Sequence, residues 1–368
     1  MPIKLEYAVS YDILDEVKRD CMAAARETDN EMRRRGFAIE SWSRGESCLL
    51  ARHRLGFWLG YTQECLGTMN LAEDARAAEN PESDSFFDHV AQTGVAMIVN
   101  DIGSSGTRPF VVGMYLAVGD ESWFANKRRR EKLIIGQKRA CILARATWGP
   151  GEIPKLQGNV TPKGADLAGS GIGIATERRH IINPKNIRHG DVMVAATGTG
   201  LHGNGWTAAR DLAKKLRPLH YRTPVPGTGT DYGTLLIQPT PIYSTMVEDI
   251  QDLGVSIHYA VNMTGHGWLK LMRAPEPFVY VIECLPTPQP IFTFFQNKTR
   301  WPLEKMYRTF NMNAGFVFYV RERAVTKVIA VIKKHGLDGV VIGHIEKRGN
   351  KKAIAGEIEF DGSELNIR

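Results

Sequence analysis

The segment GTGLHGNGWTAARDLAKKL (198–216) constrains the fold most, because it joins a glycine-rich loop directly to a helix. Ala209, Leu212, Ala213 and Leu216 keep the i, i+3, i+4, i+7 spacing of a buried stripe, and Lys214, Lys215 and Arg217 gather at its end. Ahead of the helix, His202 and Asn204 stand among Gly198, Gly200, Gly203 and Gly205. Glycines let backbone N–H groups converge on an incoming group, and a helix N-terminus favours negative charge there. The segment therefore suits an anion, most of all a phosphate. The plain alternative is a strand-to-helix turn that needs glycine only for its dihedrals.

A chain of 368 residues with 43% hydrophobic content can bury a large core and has the length of two domains. Its net charge of +7 and pI near 9.1 fit nucleic acid, an anionic surface or phosphorylated small molecules. The run NKRRREK (126–132) carries much of that charge. Leu133, Gln137, Ala140, Cys141 and Ala144 continue it at helical spacing, which makes the run the solvated start of a helix. Without interleaved aromatics or a known module it does not point to nucleic acid. Cys21, Cys48, Cys65, Cys141 and Cys284 form no CxxC pair, so reduced thiols and a cytoplasmic address are expected. MPIKLEYAVSYD lacks an apolar signal core, and no stretch approaches the roughly 18 apolar residues of a membrane span, so a soluble protein is expected.

Residues 1–40 read as a charged extension with a helix beginning near Ser10. CLLARHRLGFWLGYTQ, GVAMIVNDI, RPFVVGMYLAV and DLAGSGIGIATE read as strands that build a first domain over 41–177. A second domain over 178–368 opens with a buried strand in NPKNIRHGDVMVAATGTG. In it, Thr240 and Pro241 read as the cap and first position of a helix with Tyr243, Met246, Val247 and Ile250 on its buried stripe. GFVFYV, a helix carrying Val325, Val328, Ile329 and Ile332, and the strand GVVIGHIE follow. The turns are not those of a dinucleotide fold, and two α+β domains fit best.

Seven segments, in order, resemble the aminoimidazole ribonucleotide synthetase (phosphoribosylformylglycinamidine cyclo-ligase) family. They are AMIVNDI (96–102), WGPGEIP (148–154), DLAGSGIGI (166–174), GDVMVAATGTGLHGNGWTAAR (190–210), TPIYSTMVEDI (240–250), NMTGHGWLKLMRA (262–274) and EKMYRTFNMNAGFVFYV (304–320). The resemblance spans roughly 50–347. It implies two α+β domains, the first binding nucleotide and forming a homodimer through its sheet, the second binding substrate. It also implies ring closure of formylglycinamidine ribonucleotide with ATP and Mg²⁺, in purine biosynthesis. ATP phosphorylates the amide oxygen, a nearby nitrogen attacks the activated carbon, and phosphate leaves. Thiamine monophosphate kinase, selenophosphate synthetase and a hydrogenase-maturation protein share the superfamily; MYRTFN and GLHGNG favour the purine enzyme.

Such chemistry needs Mg²⁺ and positioned donors more than a covalent nucleophile. Asp101, Glu152 and Asp166 are the metal candidates, and Asp101, Glu152 and His202 the catalytic ones. Asn100 and Asp101, with Glu64, Gly67 and Thr68, are expected at the nucleotide. Gly200, His202, Asn204, Gly205, Thr264, Gly265 and Asn311 are expected at the ribonucleotide, although Asn311 also reads as a residue that fixes the turn. His202 has no His or Cys partner at zinc spacing.

One stretch departs from the pattern. The family carries Thr-Asp-Gly-Val-Gly-Thr-Lys where this chain has TQECLGTMN (62–70). Gly67 and Thr68 remain, Glu64 takes the aspartate position, Cys65 replaces a glycine, and Met69 replaces the lysine. An ammonium beside phosphate contributes roughly 1.5–3 kcal/mol, on the order of ten- to a hundredfold in affinity. Weakened ATP use is the expectation, and a ribonucleotide-binding paralogue without turnover is the alternative.

Overall fold

The computed structural model describes residues 2–5, 12–356 and 358–364. Its first half runs α1 (Asp12–Glu27), β1 (Phe37–Ile39), β2 (Leu49–His53), β3 (Trp58–Cys65), α2 (Met69–Glu79), α3 (Phe87–Ser104), β4 (Arg108–Val118), α4 (Lys127–Leu143), β5 (Thr147–Glu152) and β6 (Ala165–Ala175). The second half runs β7 (Asp191–Thr197), α5 (Trp206–Lys215), a short hairpin of β8 (Pro224–Val225) and β9 (Thr230–Asp231), α6 (Tyr232–Leu236), α7 (Ser244–Asp252), β10 (Tyr259–Asn262), β11 (Val279–Ile282), α8 (Pro290–Thr299), α9 (Leu303–Thr309), β12 (Ala314–Arg321), α10 (Val325–Lys334), β13 (Gly339–Glu346), β14 (Lys352–Ala355) and β15 (Ile358–Asp361). The N-terminal helix is present, but the start expected near Ser10 lies outside the described residues.

Two sheets organise the chain. The first has the order β1-β2-β3-β6-β4-β5, antiparallel except for β4 with β5. The second has the order β10-β12-β7-β13-β11-β14-β15, antiparallel except for β11 with β14. This is the α+β architecture expected, with all strands of the first sheet preceding those of the second. The segment 1–40 is not wholly outside it, because β1 pairs with β2 at the sheet edge.

Alternation along β6 explains how the first sheet is covered. Ala165, Leu167, Gly169, Gly171, Gly173 and Ala175 face inward, whereas Asp166 and Ile172 face out. A Cβ at Gly171 would lie 2.6 Å from Ile98 Cγ2, so the glycine lets α3 settle onto the sheet. The opposite face leaves Tyr61, Phe110 and Ile172 exposed.

Two expectations fail here. GVAMIVNDI is not a strand: it lies inside α3, where every residue from 94 to 102 is buried. An unbroken apolar run has no polar face to reveal its period, so a helix enclosed on all sides reads like a buried strand. The helix expected from Pro241 instead starts at Ser244. Thr240 does not cap it, because its N–H and hydroxyl both bond the Thr93 hydroxyl. Asn100 of α3 supplies the cap, its Oδ1 accepting from the N–H groups of Tyr243 at 2.6 Å and Ser244 at 3.2 Å.

Candidate functional site

The buried end of α3 carries Asn100 and Asp101 to the seam between the two halves. Asn100 is spent there. Besides capping α7, its amide donates to Pro241 O at 2.9 Å. Asp101, one residue on, is 3% exposed and looks into a cavity of about 680 Å³. Asn262, at the end of β10, donates to Asp101 Oδ1 at 2.8 Å and fixes its carboxylate.

Glu64, at the end of β3, reaches the same cavity and hydrogen-bonds Asp101. Burial first, then the charge of Asp101 and that bond, hold the Glu64 carboxyl well above the usual carboxylate range. Glu64 is therefore the member of the pair that resists ionisation. Lys270 lies opposite them, almost fully buried, with its ammonium donating to Thr264 Oγ1. Burial lowers its basicity while Asp101 and Glu64 oppose that shift. Arg273 closes the wall, bonded to Gly45 O at 2.9 Å and Ser47 Oγ at 2.5 Å. Val17, Lys18, Cys21 and Met22 of α1 form the roof, so the N-terminal segment completes the cavity.

The three carboxylates expected at one metal are divided. Asp101 faces this cavity, while Glu152 and Asp166 line a second, shallower one of about 560 Å³ on the open face of the first sheet. Gln63 borders both. Among the described residues, no three His, Cys, Asp or Glu side chains gather as a metal cage. Glu64 and Asp101 nevertheless suit Mg²⁺, which takes a few carboxylates and completes its shell with phosphate oxygens and water.

The altered 62–70 stretch follows from its local structure. Gly67 adopts φ +70° and Thr68 precedes α2. Met69 opens that helix and is fully buried among Leu66, Ala72 and Phe87. It lies in the core and is not among the residues lining the carboxylate cavity. Thr68 Oγ1 is buried with no hydrogen-bond partner among the described residues.

The 198–205 loop is held from below. Asn311 Nδ2 donates to Gly200 O at 2.9 Å and Leu201 O at 3.2 Å, while its Oδ1 accepts from Asn313 N–H. This is the turn-fixing role, and it occupies the whole side chain. His202 has a positive φ of 61° and is 1% exposed. Its Nε2 accepts from the Thr199 N–H at 3.3 Å, and burial pushes its pKa down to about 3. His202 is thus a neutral ring beneath the loop. Gly205 takes φ +81° at the start of α5, pressed against the Phe310 ring, where a side chain has no room. Asn204 Nδ2, like His202 Nδ1, is buried without a partner among the described residues. Asn204 Oδ1 lies beside Gly265, so the loop meets the Thr264–Gly265 turn.

Lys270 was not expected from sequence. It sits in a 3-10 segment, Gly267–Met272, in which every residue is buried. A lone lysine inside the apolar run WLKLM is the signal that would have found it, since a lysine is almost never fully buried without a partner. Among the described residues, no helix is long and apolar enough to cross a membrane.

The family profile "AIR synthase related protein, C-terminal domain" matches residues 188–356. A phosphoribosylformylglycinamidine cyclo-ligase of Methanocaldococcus jannaschii is 33% identical over 270 residues, covering 72% of this chain and 75% of its own length. Its Bacillus subtilis counterpart is 30% identical over 264 residues, covering 71% and 74%. The solved structure of AaThiL complexed with AMPPCP and TMP superposes with a TM-score of 0.60 at 15% identity, over 96% of this chain and 94% of its own; at that identity it shows the shared fold alone. By its likeness to these relatives over most of its length, the chain belongs to the phosphoribosylformylglycinamidine cyclo-ligase family and is an enzyme of that kind.

Proposed function

We propose that the chain closes the imidazole ring of aminoimidazole ribonucleotide from formylglycinamidine ribonucleotide, using ATP and Mg²⁺. The observation that supports this most is the pair of half-buried Glu64 and buried Asp101, facing Lys270 across a cavity between the two halves of the chain. The first half holds the nucleotide and the second the ribonucleotide. The AaThiL structure of the same fold is complexed with AMPPCP and TMP, a nucleotide analogue beside a second phosphorylated ligand.

Mg²⁺ held by Glu64 and Asp101 would withdraw charge from phosphate oxygens. The chain's own residues prepare for it. Asn262 holds the Asp101 carboxylate in one orientation, with Glu64 beside it. Asn204 offers an unspent amide donor to the ribonucleotide, beside the backbone of Thr264 and Gly265. His202 positions that loop through Thr199. The phosphorylated amide oxygen departs as phosphate once the neighbouring nitrogen has bonded to its carbon and lost a proton. Glu152 and Asp166, on the open sheet face, would serve the nucleotide from the second cavity.

We further infer a homodimer through the exposed face of the first sheet. Tyr61 and Ile172 are register partners there, 47% and 36% exposed, and Phe110 stands nearby at a bulge in β4.

ADP release measured with and without formylglycinamidine ribonucleotide tests the reading. Release that depends on the ribonucleotide is expected. Ribonucleotide binding with no ADP release would instead indicate a binding protein that has lost turnover.

A further inference from the structure

We propose that Lys270 is the phosphate-binding cation of the carboxylate cavity, replacing the loop lysine whose position is occupied by Met69. This rests on the reading of the cavity as a phosphoryl-transfer site.

The altered loop cannot supply a charge here. Met69 is fully buried in the core at the start of α2 and does not line the cavity, so position 69 has no route to a ligand. Lys270 approaches from the opposite half of the chain, on the 3-10 segment that follows the Thr264–Gly265 turn. Burying an ammonium is costly unless it is paired. Its neighbours, Trp268, Leu269, Leu271 and Met272, are all buried and offer no charge, so the cost is met only from the cavity side. Glu64 and Asp101 lie there, and Thr264 Oγ1 accepts one of the three ammonium hydrogens.

Charge balance gives this arrangement a direction. Arg273 is tied to the 45–47 loop, with Glu46 3.9 Å away, so these two offset one another. Lys270 is left facing the carboxyl groups of Glu64 and Asp101 across the cavity. A divalent cation held by those carboxylates would compete with the ammonium for them. The cluster then carries excess positive charge, and the ammonium loses its counter-ions to the metal. A buried ammonium in that state needs an anion, and a phosphoryl oxygen of the metal-bound ligand supplies it. The adjoining Thr264–Gly265 backbone lets a phosphate come close, because Gly265 carries no side chain and its nearest neighbour is Asn204. A single lysine thus stabilises the carboxylates before the ligand arrives and the phosphate afterwards.

The test uses the full chain and its Lys270→Met and Lys270→Arg variants, with Mg²⁺ present throughout. Calorimetry follows tripolyphosphate, ATP and adenosine, and a thermal melt accompanies each protein. Lys270→Met is expected to weaken tripolyphosphate and ATP by ten- to a hundredfold while adenosine stays within about twofold. Its melting temperature should fall, because Glu64 and Asp101 lose their counter-charge, while the adenosine control reports whether the cavity still forms. Lys270→Arg should recover part of the loss. Unchanged tripolyphosphate affinity in a well-folded Lys270→Met protein would overturn the assignment. So would parallel losses for tripolyphosphate and adenosine, which indicate a collapsed cavity, or a wild-type chain that ignores tripolyphosphate. A wild-type chain that binds tripolyphosphate through Lys270 but not ATP would leave the assignment standing and overturn the ATP reading.

Discussion

Asn262 donates to Asp101 across 2.8 Å, joining the last residue of β10 to the buried end of α3. The two halves of the chain therefore meet on a single carboxylate oxygen. Asn100, the residue before it, holds the same seam by capping α7. Groups of the two halves are registered by side chains of α3, and any shift of one half moves Asp101 relative to Asn262.

The raised Glu64 carboxyl makes the proposed metal site depend on pH. The Glu64 carboxyl is raised by burial and by Asp101, so the folded chain keeps a proton that the unfolded chain releases. This contribution to stability is complete below the unfolded carboxylate range and is lost as pH rises through the raised folded value. If Mg²⁺ takes the site as proposed, its affinity should rise with pH by up to about tenfold per unit until Glu64 is ionised. Calorimetry in buffers of different ionisation enthalpy should register proton release. Glu64→Gln should remove that release, abolish tight Mg²⁺ binding and raise the melting temperature most at higher pH. Metal binding without proton release would contradict a raised Glu64 carboxyl at the metal.

His202 titrates in the opposite sense. Its pKa is pushed from 6.5 to about 3 by burial, so the unfolded chain takes up a proton that the folded chain refuses. Stability is complete above pH 6.5 and is lost as pH falls toward 3, at up to about 1.4 kcal/mol per unit. His202→Gln keeps an acceptor for the Thr199 N–H and should flatten this slope. Urea unfolding at pH 7.5 and pH 5 checks the difference; equal slopes in both proteins would place the acid sensitivity elsewhere.

Met69→Lys is expected to harm the fold rather than restore nucleotide binding. The new ammonium would lie among Leu66, Ala72 and Phe87 with no counter-charge, at a cost of about 3 kcal/mol or more. A lower melting temperature with unchanged ATP affinity is the predicted pair of results. Tighter ATP binding at a normal melting temperature would return position 69 to the cavity.

The sheet face gives a separate prediction. Ile172→Glu places a carboxylate beside Tyr61 on the exposed face and should convert a dimer to a monomer. Light scattering at micromolar concentration checks this. A wild-type monomer would remove the dimer, and a mutant that remains dimeric would move the interface.

Local patterns made most of the architecture legible. The alternation in DLAGSGIGI gave β6 its two faces, and the stripe of Ala209, Leu212 and Ala213 marked α5. Where the chemistry was non-local, sequence reading went astray. GVAMIVNDI has no polar face because helices and sheet enclose it on every side. Thr240 and Pro241 resemble a cap, but the groups that cap α7 come from Asn100, more than a hundred residues away. At the site, Asp101 and Glu64 converge, whereas Glu152 and Asp166 occupy another cavity. Asn311 and His202 could be named from their loop, but only the packing beneath it shows that both are turned inward.

The transfer of oxygen tests the proposed activity most directly. If ATP activates the amide oxygen of formylglycinamidine ribonucleotide, that oxygen must leave with the phosphate when the ring closes. Substrate labelled with ¹⁸O at the amide carbonyl should, in a single turnover with Mg²⁺ and ATP, give inorganic phosphate carrying one labelled oxygen per ring formed. Phosphate without label, or ADP released without ring closure, would contradict the cyclo-ligase reading of the Glu64–Asp101 cavity.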